Sequence, residues 1–172
     1  VSGGVYVPRF YDVAYDDQGA IASVTPNQPG VPARVRKHTL MDLDSWPYPR
    51  KPLVPLAETV HERFSVEIFR GCTRGCRFCQ AGYVYRPVRE RSGPQVVNMA
   101  GAQLAATGHH ELAYASLSTT DYTALEEVLQ QTAQAYPEVR VSLPSLRVDS
   151  AAVRLARLAS PTGPSLTLAP EA

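Results

Sequence analysis

From Phe64 onward the chain alternates strand-like and helix-like segments joined by short connections, and that alternation leaves few architectures open. "RFSVEIF" reads as a strand. "GPQVVNMAGAQLAATG" predicts a helix, with Pro94 suited to its first turn and Gly108 to its C-terminal stop. "ELAYASLS" predicts a second strand, and "TALEEVLQQTAQAY" a second helix opened by a capping box from Thr123 to Glu126 and carrying Leu125, Val128 and Leu129 on its apolar side. "EVRVSLPSL" predicts a third strand, "DSAAVRLARLA" a third helix capped by Asp149, and "PSLTLAP" a fourth strand. Strand–helix alternation of this kind demands a parallel sheet with right-handed crossovers, so the fold class is α/β. With 172 residues, 44 % of them hydrophobic, there is enough material for a buried core.

Residues 1–63 have a different texture and form a separate N-terminal hairpin and linker segment, ahead of a second region at 64–172. "GGVYVPRFYDVAYDDQGAIASVTP" reads as two short strands around Asp16-Asp17-Gln18-Gly19. "NQPGVPAR" and "WPYPRKPLVP" are extended connectors in which proline blocks helix propagation. Asp42 and Asp44 in "MDLDSW" resemble a carboxylate pair for acid–base work, but their linker position makes them turn formers. The chain starts without Met and stops inside a strand-like stretch, which leads us to expect a piece of a longer protein. A formal charge of +1 gives no general attraction to nucleic acid, membrane or acidic ligands. No apolar run approaches the roughly 20 residues that span a bilayer, and no signal-peptide pattern opens the chain. Cytoplasmic localisation is expected, with no membrane partner.

All three cysteines fall in "RGCTRGCRFCQAGYVYRPVRERS", spaced C-x3-C-x2-C at Cys72, Cys76 and Cys79. An odd, tightly clustered number does not suit a secreted disulfide framework. Zinc requires four ligands, and beyond Cys72 and the Cys76–Cys79 knuckle only His38, His61, His109 and His110 are available. His109 and His110 sit side by side between a helix and a strand, as surface-turn residues do. A non-catalytic zinc module therefore stands as a rival reading. The alternative is an iron–sulfur cluster with three protein ligands; cubane clusters normally take four cysteines, so three leave one iron open for an exogenous ligand. The loop also follows the first strand at its C-terminal end, where α/β folds place chemistry.

The C-x3-C-x-Phe-C pattern after a first strand resembles the signature of the radical S-adenosylmethionine (SAM) superfamily. The strings "EIFRGCTRGCRFCQAGYVYRPVRERS", "SLSTTDY", "SLPSLRVDS" and "LTLAPEA" together resemble the bacterial cobalamin-binding-type radical SAM proteins of unassigned reaction. "VRKHTLMDLDSWPYPRKPLVP" is similar to the linker those proteins carry before the barrel. The resemblance implies the first half of a (β/α)6 partial, TIM-like barrel, about three and a half βα units, preceded by the proline-rich segment. It implies a [4Fe-4S] cluster held by Cys72, Cys76 and Cys79, with SAM chelating the open iron and giving a 5′-deoxyadenosyl radical, and it makes Phe78 the aromatic that shields the adenine. The superfamily's Gly-Gly-Glu stretch, which binds the cofactor's amino group, is here Ser118-Thr119-Thr120-Asp121. Those hydroxyls and the Asp121 carboxylate are candidates for that ammonium, unless Asp121 only starts the next helix. Arg147 and Glu171 complete the implied cofactor contacts.

No D-x-H-x-x-G cobalamin motif occurs, so cobalamin is expected only through an upstream domain outside this chain. An electron donor of the flavodoxin or ferredoxin type is the implied partner. A tRNA- or protein-modifying methyl- or methylthiotransferase of the same superfamily is the alternative activity, and the fragment alone is expected to be inactive, its strand edges exposed. Arg70, Arg74, Arg77, Arg86, Arg89 and Arg91 crowd around the single acid Glu90. They can pair with carboxylates elsewhere, support an anionic cluster, or contact RNA phosphates; nucleic acid is the least expected use, though it stays open. Glu67 alternates with Val66 and Ile68, so it faces solvent or, if buried, takes a partner such as Arg147. Tyr83 and Tyr85 read as cover residues beside the loop.

Overall fold

The computed structural model describes residues 4–57, 59–60, 62–148 and 168–170. It divides into two compact units, Val1–Met41 and Asp42–Ala172. In the first, a 3-10 turn at Pro8–Phe10 leads into strand β1 (Tyr11–Tyr15), which pairs antiparallel with β2 (Ile21–Pro26). The Asp16 carboxylate closes the hairpin by accepting the backbone N–H groups of Gln18 at 2.9 Å and Ala20 at 2.8 Å, the local bonding that suits Asp to turns. Tyr11 is buried and donates its hydroxyl to the Pro32 carbonyl at 2.8 Å, while the rest of β1 is exposed.

The second unit runs β3 (Phe64–Glu67), β4 (Phe69–Arg70), α1 (Gln80–Val84), β5 (Arg89–Glu90), α2 (Gly93–Thr107), β6 (Glu111–Ala115), a 3-10 turn at Thr119–Asp121, α3 (Leu125–Ala135), β7 (Arg140–Ser142), β8 (Leu146–Arg147) and β9 (Leu168–Ala169). Strands β3, β6 and β7 form a parallel sheet in the order β3-β6-β7. Register places Phe64, Val66, Leu112, Tyr114 and Val141 on one face, and all five are buried. Val96, Met99, Leu104, Leu125, Val128 and Leu129 from α2 and α3 join them in one core. Burying each large aliphatic of this set stabilises the fold by about 1.5–3 kcal/mol before chain entropy is charged against it. The other face carries Ser65 and Glu67, Ala113 and Ala115, and Ser142, all small or polar.

Helix α2 begins at Pro94's turn and ends on Gly108, which takes the left-handed conformation (φ 68°) and donates its N–H to Leu104, as a C-terminal glycine does. Asp42 builds a turn, as expected, by accepting from the N–H groups of Asp44 and Ser45, whereas the Asp44 carboxylate accepts the Ser92 N–H at 3.1 Å just ahead of α2. Other expectations are corrected. The capping box does not form: α3 is preceded by Ala124 with no side-chain cap, and the Thr123 N–H goes to Glu90 at 3.2 Å. The first strand is split at Ile68, whose N–H bonds Ala115 while its carbonyl accepts from Arg91, so the chain changes partners there. The third strand breaks at Leu143–Ser145, where Pro144 has no N–H to donate. The expected third helix and its cap Asp149 lie outside the described residues.

Candidate functional site

The cysteine loop leaves the C-terminal end of β4, and Gly71 allows it to turn. Its φ is +91°, and a Cβ there would lie 2.7 Å from the Tyr85 carbonyl oxygen and 2.8 Å from that of Pro87. Cys72, Cys76 and Cys79 follow, half-buried and none in a disulfide. The loop curls on itself: the Cys79 N–H donates to the Cys76 carbonyl at 3.0 Å, and the Arg74 N–H points at Cys72 Sγ at 3.5 Å. Cys79 caps the short helix α1, its Sγ accepting from the Gly82 N–H at 3.4 Å. The Tyr83 hydroxyl donates to the Gly75 carbonyl at 2.9 Å, the Arg86 guanidinium lies 4.8 Å over the Tyr83 ring, and Arg86 Nε donates to the Cys72 carbonyl at 3.3 Å. Phe78 stands out from the loop, 76 % exposed. Tyr83 and Tyr85 are both about half exposed at the surface.

Beside this loop the structure gathers Ser118, Asp121 and Arg147. Arg74 Nε donates to Asp121 Oδ2 at 2.8 Å, and its second nitrogen reaches Oδ1 of the same carboxylate. The Ser118 hydroxyl donates to Asp121 Oδ2 at 2.7 Å, and Arg147 donates to Asp121 Oδ1 at 3.1 Å and to Ser118 Oγ at 3.2 Å. The Arg74 hydrogen bond, with Ser118 and Arg147 behind it, holds the Asp121 carboxyl below the usual aspartate range against the opposing effect of burial. Helix α3 starts at Leu125, so Asp121 does not begin it. Thr119 is fully buried and bonds the Pro144 carbonyl and Ser116, whereas the buried Thr120 hydroxyl has no partner.

Glu67 is partly exposed, and Arg147, the candidate partner had it been buried, does not pair with it. Its carboxylate accepts from Arg70 at 2.7 Å and lies 3.9 Å from Arg91, while Arg147 is committed to Asp121. The reason is distance along the chain: Arg70 is three residues away at the end of the same ribbon, and the Glu67 hydrogen bond raises its pKa. Arg91 is buried and donates to the carbonyls of Glu67 at 3.1 Å and of Leu43, and Arg89 donates to those of Tyr85 and Pro87 at 3.0 Å each. A groove of about 770 Å³ touches Glu67 and Arg70 together with Trp46, Tyr48 and Gln103, but not the cysteines. Glu171 lies outside the described residues. The pairing of Arg74 with Asp121, 47 residues apart, has no local signal in the sequence.

An α/β unit with a parallel sheet and a three-cysteine loop at the end of its first strand defines a class, and comparison with known proteins names it. The family model described as the radical SAM superfamily matches residues 66–169, more than half of the chain, and the chain belongs to that superfamily. The superfamily's cofactors are a [4Fe-4S] cluster and SAM. An uncharacterized protein of Methanocaldococcus jannaschii is 34 % identical over 109 residues, covering 63 % of this chain and 24 % of that protein. The chain thus aligns with about a quarter of that relative's length.

Proposed function

We propose that this chain is the cluster-loop part of a radical SAM enzyme, the first half of a (β/α)6 partial barrel within a longer protein. The observation that carries the reading is the donor set: three thiols of one loop, outside any disulfide, at the C-terminal end of the first strand of a superfamily domain. Among the described residues no three His, Cys, Asp or Glu side chains already close around a single ion. A cubane does not need that, because each thiolate binds a different iron. The N–H groups of Arg74 and Gly82 directed at Cys72 and Cys79 sulfurs suit thiolates that must carry negative charge.

In this reading Cys72, Cys76 and Cys79 would hold a [4Fe-4S] cluster that also binds SAM. When bound, the pair supplies a one-electron cleavage that releases a 5′-deoxyadenosyl radical for hydrogen abstraction. The chain's own residues orient and exclude. Phe78, exposed and next to Cys79, covers the adenine and keeps water from it. Ser118, Thr119, Thr120 and Asp121 stand where the superfamily binds the cofactor's ammonium, and the buried Thr120 hydroxyl has no partner among the described residues. Reduction requires an external donor of the flavodoxin or ferredoxin type. No helix among the described residues is long and apolar enough to cross a membrane. The proposed cytoplasmic location rests instead on the three thiols outside any disulfide, which a reducing compartment keeps.

Anaerobic reconstitution with iron and sulfide tests the reading. The expected result is a brown product with iron–sulfur absorbance that is lost in Cys76→Ala. In the longer protein, reduction in the presence of SAM should release 5′-deoxyadenosine. A colourless protein holding stoichiometric zinc would overturn the proposal.

A further inference from the structure

We infer that Asp121 is a positioning residue, which fixes the cysteine loop to the turn after β6 and to β8 through Arg74 and Arg147. The inference rests on the cluster reading above and assigns its loop a tether. Arg74 is the middle of the three residues between Cys72 and Cys76, so wherever its side chain is held, the spacing of those two thiols is held with it. The loop's bonds to Gly75, Cys72 and Cys76 described above stay within residues 70–89. The Arg74 fork instead reaches 47 residues along the chain to a carboxylate at the end of the turn after β6. Arg147 of β8 grips the same carboxylate from the other side, and Ser118 donates to it. One carboxylate therefore joins the cysteine loop, the β6 turn and β8.

Geometry and charge agree. A guanidinium binding both oxygens of one carboxylate fixes direction as well as distance, which a lysine point charge does not. Asp121 is mostly buried, its side chain 20 % exposed, and Arg147's is 18 % exposed, so this pairing is shielded from water more than an ordinary surface ion pair. Two guanidiniums against one carboxylate leave a net positive charge beside three sulfurs that must become anionic. With both oxygens occupied by donors of this chain, Asp121 has little capacity left for an incoming ammonium.

The test uses the 172-residue chain with Arg74→Met, Asp121→Asn and the double variant carrying both changes, each checked for folding by circular dichroism. Before any cluster is built, iodoacetamide should alkylate the loop cysteines of both single variants about tenfold faster than wild type, the loss of one charged hydrogen-bonded pair. The double variant should react no faster than the faster single one, because both changes break the same contact. After reconstitution the single variants should bind less iron per chain. The cluster potential should move up in Asp121→Asn, which unmasks two cations, and down in Arg74→Met, which removes one. A general loss of stability would not produce shifts of opposite sign. Equal alkylation rates in all four proteins, or potentials shifting the same way, would overturn the tether. Faster alkylation in the variants of a protein that takes up no iron and sulfide would support the tether and overturn the cluster reading instead.

Discussion

Replacing Gly71 by Ala should be among the costliest single-methyl additions in the chain. Two effects add. The residue sits at φ +91°, where an L side chain costs about 1–2 kcal/mol. The new Cβ would also stand 2.7 Å from the Tyr85 carbonyl oxygen and 2.8 Å from that of Pro87, both backbone atoms that no rotamer change can move aside. Forced overpacking of this kind costs about 1–3 kcal/mol. Those two carbonyls are also the acceptors for Arg89, so a shift that relieves the clash loosens its bonds. The sum is about 2–5 kcal/mol. Gly108→Ala is the matched control, with φ +68° and nothing within 4 Å of its Cβ, so it should cost only the conformational share of about 1 kcal/mol. Urea unfolding followed by the fluorescence of Trp46, the single tryptophan, measures both. If Gly71→Ala is destabilised no more than Gly108→Ala, within about 0.5 kcal/mol, the close approach of residues 85–87 to the loop is wrong.

Tyr114→Phe removes a buried hydroxyl that bonds Thr132 at 2.5 Å and should cost about 1 kcal/mol in urea unfolding at neutral pH. Burial pushes the Tyr114 phenol up to about 12, so the fold favours its neutral form. That contribution is complete below the ordinary tyrosine value near 10 and is lost as pH rises toward the folded value; at about pH 11 wild type should have lost about 1.4 kcal/mol more than Tyr114→Phe. A difference that does not change between pH 9 and 11 would contradict it. Leu112→Ala, at a position with no exposure, should cost about 2–5 kcal/mol, whereas Leu53→Ala, 99 % exposed, should leave the unfolding midpoint unchanged. Arg63→Met breaks bonds to Glu111 at 2.9 Å and Ser142 at 3.0 Å. Its expected cost is about 1 kcal/mol, and prior removal of Glu111 should shrink it in a double-mutant cycle.

What could be read from the sequence was whatever is written locally. Helix α2 was legible because Pro94 and Gly108 mark its two ends. The three core strands were legible because Phe64, Val66, Leu112, Tyr114 and Val141 are apolar at the right spacing. The cysteine loop was legible because C-x3-C-x2-C is itself a chemical statement. What could not be read depends on partners distant in the chain. The split at Ile68 arises because its N–H faces Ala115 and its carbonyl faces Arg91, a change of neighbour that no local pattern records. The Thr123–Glu126 spacing fits a capping box, yet Glu90 captures the Thr123 N–H and the helix starts later. Helix α1 escaped notice because five residues capped by a cysteine carry no periodic signal.

The arginines around the loop show how a charge pattern can mislead when only carboxylates are counted as partners. Six arginines face one acid in the sequence of this stretch, which suggests cations waiting for an anion. In the folded chain, carbonyl oxygens take much of that demand: Arg86 donates to Cys72, Arg89 to Tyr85 and Pro87, and Arg91 to Glu67 and Leu43. A segment without regular hydrogen bonding has carbonyls to satisfy, and a guanidinium with five donors can satisfy several at once. The same residues thus hold an irregular loop in one shape. Arg70 and Arg74 take the acids Glu67 and Asp121, and Arg77 is exposed. Arg74 links the loop to a carboxylate beyond β6. Its loss should therefore be read in the sulfurs, whereas loss of Arg89 or Arg91 should be read first in the stability of the fold.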